Sequence, residues 1–183
     1  KNSVKENTEK EKTTPNLKSK NQVRKNTEQE IILTMLEQGR ESFKEGDYKS
    51  AIHLFNGIID NENFELFDQD KQCNCFYLRG VSHSHTYDLK SAINDLNNAI
   101  AIDPYDQILY LSRGVAFKKN SDRVSAIKDF NKAISLGENY VFYYLRGVCK
   151  KELGRYEDAV IDFNLAIENF DFIRLEISME DIL

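Results

Sequence analysis

From Ile31 onward, large apolar side chains recur three and four residues apart, with charged and amide residues between them. That is the spacing of amphipathic helices, and no stretch alternates with the period of two that a half-buried strand needs. The pattern is clearest over Tyr140–Asn169, YVFYYLRGVCKKELGRYEDAVIDFNLAIEN. It predicts two short helices joined by a tight turn at Leu153-Gly154-Arg155, because glycine just past a helical run is a stop signal. Gly46-Asp47 predicts the same kind of turn near the start of the pattern. Ser121-Asp122 predicts a helix start, Asp106 and Asn139 are candidate N-caps, and Gly137 a candidate C-terminal cap.

Comparing the chain with itself sharpens this reading. Gly39, Gly80, Gly114 and Gly147 each sit inside a helical apolar pattern, and each is followed twelve residues later by an alanine: Ala51, Ala92, Ala126 and Ala159. Seven residues further on stand Ile58, Ala99, Ala133 and Ala166, each followed by isoleucine. The glycines are 41, 34 and 33 residues apart. Glycine inside a helix costs about 1 kcal/mol relative to alanine, so four of them need a compensating close approach. The expectation is that they let the first helix of each unit lie against the matching alanine of the second. Phe55, Leu96, Phe130 and Phe163 would fill the flanking space, with Met35, Phe76, Tyr110 and Tyr143 opposite.

A helix-turn-helix unit with a period near 34 resembles the tetratricopeptide repeat. The resemblance covers about three quarters of the chain and implies an all-α, right-handed solenoid of four repeats, at about 32–65, 73–106, 107–139 and 140–173. It departs from the family pattern in having no Trp and in keeping the terminal proline only as Pro104. Seven extra residues fall within NENFELFDQDKQ, near Asn61–Gln72, where they are expected to lengthen a helix or loop. Stability in such an array comes from stacking, since each unit leaves an apolar face for the next to cover.

One pairing shows only when repeats are compared. Repeats two, three and four carry an arginine before the central glycine (Arg79, Arg113, Arg146) and an aspartate in the second helix (Asp95, Asp129, Asp162). Repeat one has Gln38 and Leu54 instead. Arginine and aspartate are expected to pair as a structural clip, worth only about 0–1 kcal/mol if exposed. The rival reading is that these arginines receive an anionic ligand.

Charge and composition then narrow the class. Of 183 residues, 40% are hydrophobic and no apolar run approaches the roughly 20 needed to cross a bilayer. The first thirty residues carry eight Lys/Arg against five Asp/Glu, whereas the rest carry 17 against 25. An acidic body argues against general phosphate binding, so nucleic acid is not the expected partner. Residues 1–28 have almost no large apolar side chains and read as a disordered polar tail. The sequence opens on Lys1 and closes on Ile182-Leu183, as a piece of a longer protein would. Residues 174–183 read as the start of a C-terminal capping helix.

Catalytic chemistry finds no foothold. His83 and His85 are two residues apart, which turns their rings about 200° from each other on a helix, so they cannot share a metal. His53 stands alone. Cys73, Cys75 and Cys149 form neither a disulfide framework nor a zinc spacing, and read as reduced thiols in or near a core, in a cytoplasmic protein. No phosphate-cradling glycine loop is present. The expectation is a non-enzyme without cofactor or metal.

The resemblance implies a concave groove lined by the first helices. Its slots hold Leu36, Tyr77, Leu111 and Tyr144 in one row and Arg40, Val81, Val115 and Val148 in a second, with His85, Lys118, Lys119 and Lys151 along the rim. An apolar, tyrosine-bearing floor with a basic rim suits a protein or peptide with apolar anchors and acidic residues. The slots with which related repeat proteins clamp acidic chaperone tails hold Leu36, Arg40, Leu78, Ile108 and Ser112, or one repeat later Tyr77, Val81, Ser112, Val141 and Leu145. Neither set carries the required Lys, Asn and Arg. The expected function is a protein–protein interaction module or scaffold. The alternatives are a non-catalytic appendage positioning substrate for a larger enzyme, or a chaperone-associated adaptor without the carboxylate clamp.

Overall fold

In the computed structural model, residues 17–180 are described, with side chains over residues 29–170. Eight helices follow one another in four pairs: α1 (Leu17–Lys44) with α2 (Tyr48–Ile59), α3 (Gln69–His85) with α4 (Leu89–Ile102), α5 (Gln107–Lys119) with α6 (Arg123–Leu136), and α7 (Tyr140–Glu152) with α8 (Tyr156–Glu180). Each helix packs on the next in sequence, and successive first helices α1, α3 and α5 also touch. That contact pattern is a helical solenoid. The first sixteen residues of the polar segment lie outside the described residues, and α1 begins at Leu17, so residues 17–28 carry helical backbone. Residues 174–180, expected to start a capping helix, are helical and continue α8 without a break from Tyr156; residues 181–183 lie outside the described residues.

The turns inside the repeats share one backbone. A residue with positive φ stands at the same place in all four: Gly46 (79°), Tyr87 (64°), Ser121 (63°) and Gly154 (76°). In three repeats an aspartate follows and caps the second helix. Asp47, Asp88 and Asp122 accept the backbone N–H of Ser50, Ser91 and Ser125. The fourth repeat reverses the chemistry, with Arg155 donating to Asp158 at 2.6 Å. Asp106 and Asn139 cap α5 and α7, accepting from Ile108 and Val141. Gly137 does close α6, but with extended backbone (φ 177°) rather than a left-handed turn.

The insertion after repeat one is used as packing. Residues Phe64–Leu66 form a short 3-10 turn. Phe64 is buried among Ile32, Leu36, Phe55 and Ile58 of repeat one and Cys75 and Leu78 of α3. It meets Phe76 edge to face at 5.4 Å. Gln72 holds the loop by donating to the carbonyl of Phe67 at 2.9 Å.

The central glycines do create close approaches, and only Gly80 meets its matching alanine, at the Ala92 carbonyl 3.2 Å from an added Cβ. A Cβ on Gly114 would stand 2.6 Å from the Phe130 ring, and one on Gly147 2.8 Å from the Phe163 ring. The contact is the large side chain one turn further along the second helix. The alanines serve the interface to the next repeat: Ala92 clusters with Ala116 of α5, and Ala126 with Cys149 of α7.

The arginine–aspartate clip exists and has more arms than two. Arg79, Arg113 and Arg146 each hold their aspartate with Nε and Nη2 at 2.6–2.9 Å, a bidentate grip. Nη1 of each donates to an asparagine on the second helix of the preceding repeat: Asn56 at 2.9 Å, Asn97 at 2.6 Å and Asn131 at 2.7 Å. The aromatic residue three positions earlier, Phe76, Tyr110 or Tyr143, lies under the guanidinium at 5.4–6.0 Å. One side chain thus ties three helices across two repeats. The aspartates are buried (Asp95 2%, Asp129 5%, Asp162 0% exposed), so the surface-pair energy expected from sequence is an underestimate. Removing one partner of a buried ion pair costs about 3–5 kcal/mol.

Three outcomes follow. Asp129→Ala should lower the unfolding free energy by about 3–5 kcal/mol in urea denaturation, with Arg113→Ala similar and the double variant little worse than either. Burial pushes the Asp162 carboxyl up, but hydrogen bonds from Arg146 and Lys150 outweigh that and hold it below its ordinary 3.8. A carboxyl depressed in the fold contributes stability above its unfolded pKa and loses it as pH falls. The urea midpoint should therefore fall below about pH 4, and less steeply in Asp162→Asn. Ser121→Gly should raise stability by about 0.5–1 kcal/mol by removing a left-handed side chain, a gain read as a higher thermal midpoint.

Candidate interaction surface

The first helices place side chains of successive repeats in register, so a feature of one repeat becomes a row along the solenoid. The expected groove residues do not form one continuous floor. Leu36 is 2% exposed and sits in the core with Ala51, Phe55 and Ile58, because repeat two and the inserted Phe64 cover it. It is a core residue. Tyr77 is half-buried between the cores of repeats one and two and borders a separate opening with Asp70, Asp103 and Asp106. Arg40 pairs with Glu37 at 3.2 Å and reaches Asn74 of α3 at 3.4 Å.

Val81, His85, Leu111, Val115 and Lys119 do come together. With Ser84, Ser112, Val141 and Leu145 they line a concavity of about 260 Å³ formed by α3, α5 and α7. Tyr144, Val148 and Lys151 line a different one, of about 690 Å³, together with Tyr140 of α7 and Phe163, Ala166, Ile167 and Phe170 of α8. The sequence-based reading thus merges two surfaces. Val141 and Leu145 could have been found, since they belong to the apolar stripe of α7. Ile167 and Phe170 lie on a second helix, which the groove slots do not include.

The basic rim is partly spent inside the protein. Lys119 donates to the Ser84 carbonyl at 2.9 Å and its Nζ lies over the Tyr87 ring at 5.6 Å. Burial and the adjacent Lys118 lower its pKa. His85 stacks on Tyr48 of α2 with ring centroids 4.1 Å apart. Burial and then Lys119 push its pKa below 6.5, so at neutral pH it presents a neutral ring. Arg123 bonds to Glu152 and to the Lys118 carbonyl. Lys118 is half-buried, and Lys151 stands exposed at the mouth of the larger concavity.

Other chemistry is muted. The thiols are free; burial drives Cys75 to about 12, and burial with Asp103, Asp106 and Asp70 drives Cys73 to about 11. Such thiols carry almost no thiolate at neutral pH. His83 lies 3.5 Å from Asp88, and burial holds its pKa down. Among the described residues no group of three or more His, Cys, Asp or Glu side chains is placed to hold a metal, and no helix is long and apolar enough to cross a membrane.

Residues 140–169, which span α7 and most of the described α8, match the family model described as Tetratricopeptide repeat. No curated protein matches the sequence. Solved structures with the same fold include the crystal structure of MamA, 22% identical with a TM-score of 0.69, over 78% of this chain and 80% of that one. MamA 41-end from Desulfovibrio magneticus RS-1 is 18% identical with a TM-score of 0.69, over 76% of each chain. The second TPR of Spaghetti (RPAP3), solved bound to the HSP90 peptide SRMEEVD, is 26% identical with a TM-score of 0.52, over 54% of this chain and 92% of that one. The match of residues 140–169 makes the last helix pair a tetratricopeptide repeat, and the four stacked pairs with recurring Gly and Ala positions share the fold of these solved repeat structures.

Proposed function

We propose that the chain is a protein–protein interaction module that takes an extended, apolar-anchored peptide segment into the concavity of α3, α5 and α7. The observation that carries this reading is the convergence of Val81, Leu111, Val115, Val141 and Leu145, from three successive first helices, on one open hollow. A hollow of about 260 Å³ accepts one or two large side chains rather than a whole helix. Full burial of one such anchor is worth roughly 1.5–3 kcal/mol. Ser84 and Ser112 border the hollow and offer hydroxyls to a peptide backbone, while Lys119, though it donates to the Ser84 carbonyl, leaves positive charge at the edge that favours acidic residues beside the anchor. The RPAP3 domain was solved with a peptide, which supports a peptide-binding use of this fold. The reading does not extend to a clamp for an acidic chaperone tail. The slots for such a clamp hold Leu36 and Leu78, both buried here.

The test is selection of peptides from a displayed random library, followed by titration of the selected sequences. They should share a large apolar residue flanked by acids and weaken as salt rises. Val115→Glu should reduce their affinity ten- to a hundredfold, the equivalent of about 1.4–2.7 kcal/mol, with unchanged helicity. Selected peptides that bind this variant as tightly as the parent would remove the assignment.

A further inference from the structure

The larger concavity, on α7 and α8, is the stacking face of the fourth repeat. In the first three repeats the equivalent face is closed by the first helix of the following repeat. Phe55 and Ile58, Leu96 and Ala99, and Phe130 and Ala133 are completely buried there. On the third repeat the covering helix is α7. Its Phe142 packs beside Ala133 and Tyr110, and its Leu145 against Ala126 and Phe130. On the fourth repeat the same kind of surface is open: Tyr144 is 54%, Ile167 60% and Phe170 48% exposed.

A polar marker repeats in the same way. Asn56, Asn97 and Asn131 directly follow the large side chain that meets the central glycine, and each accepts Nη1 of the arginine on the next first helix. Asn164, after Phe163, occupies that slot on α8 and is exposed. Glu168, one turn further, is also exposed and adds negative charge to the same stripe. Apolar cradle and arginine acceptor therefore recur together, in the register used three times within the chain.

We propose that this face binds an amphipathic α-helix of a partner protein. The helix carries two large apolar residues and an arginine in the register of Phe142, Leu145 and Arg146, and its guanidinium reaches Asn164. The occupant is not a second copy stacked head to tail. The corresponding positions on α1 are Thr34, Glu37 and Gln38, which would set an acid in the apolar slot and offer no guanidinium. The α1 helix thus does not fit the face on α7 and α8, and open-ended self-stacking through these two surfaces is disfavoured.

The probe is a lactam-stapled helical peptide with the sequence of residues 139–153, the segment that fills this cradle on repeat three, bearing a fluorophore and serine in place of Cys149. It should bind the full chain one to one. Ile167→Asp, a change at an exposed position, should weaken binding at least tenfold, with folding checked by circular dichroism. Asn164→Asp should tighten the parent peptide several-fold and a peptide carrying Arg146→Ala far less, because the added charge stands where the Arg146 guanidinium docks on repeat three. Val115→Glu should leave binding unchanged, which separates this face from the concave hollow. Absence of binding, binding indifferent to Ile167→Asp and Asn164→Asp, or sedimentation showing that the chain alone covers the face by self-association would each overturn the proposal.

Discussion

The structure depends on how each repeat is fastened to the one before it. An arginine on the first helix spans a buried aspartate in its own repeat and an asparagine in the preceding repeat, with an aromatic ring beneath the guanidinium. A hydrophobic stack alone tolerates slippage, because apolar contact is not directional. The planar guanidinium adds direction, since its donors match a carboxylate edge-on and leave a third arm for the asparagine. Twist and register between repeats are thereby set at one point per interface, and the apolar residues fill the space around it.

Repeat one lacks that fastening on its first helix. Nothing precedes it to supply an asparagine among the described residues, and its slots hold Met35, Gln38 and Leu54 in place of aromatic, arginine and aspartate. All members of the clip are absent together, as expected of parts that work as a unit. Burying a lone aspartate would leave an uncompensated charge. The interface between repeats one and two has the clip of Arg79 with Asn56, and the inserted Phe64 adds apolar packing beside it.

The same arrangement divides the recognition surfaces. Where three first helices lie side by side, their inward side chains leave a small hollow with serine hydroxyls and engaged cations at its edge. On the fourth repeat a wide apolar face remains with its asparagine exposed. A small pocket with polar edges selects among extended segments, whereas a broad cradle suits a helix. The two differ because one lies within a completed interface and the other is an interface with one side.

Much of this was legible in the residues. The glycine and alanine spacings determined the four repeats and the helix pairs, since helical periodicity and backbone-sized gaps are local properties of the chain. Arg113 and Asp129 could be matched by their recurrence, and Asn97 and Asn131 recur just as regularly, though their role was not inferred. Burial was not legible, because it depends on which neighbour covers a position. Leu36 and Tyr144 occupy the same slot, yet one is core and the other surface. Likewise Lys119 reads as a free cation until the fold brings the Ser84 carbonyl to it. The sequence by itself determined the unit and its repetition. Only the tertiary structure decided which copies of each side chain are enclosed, since that follows from position in the stack and not from the unit.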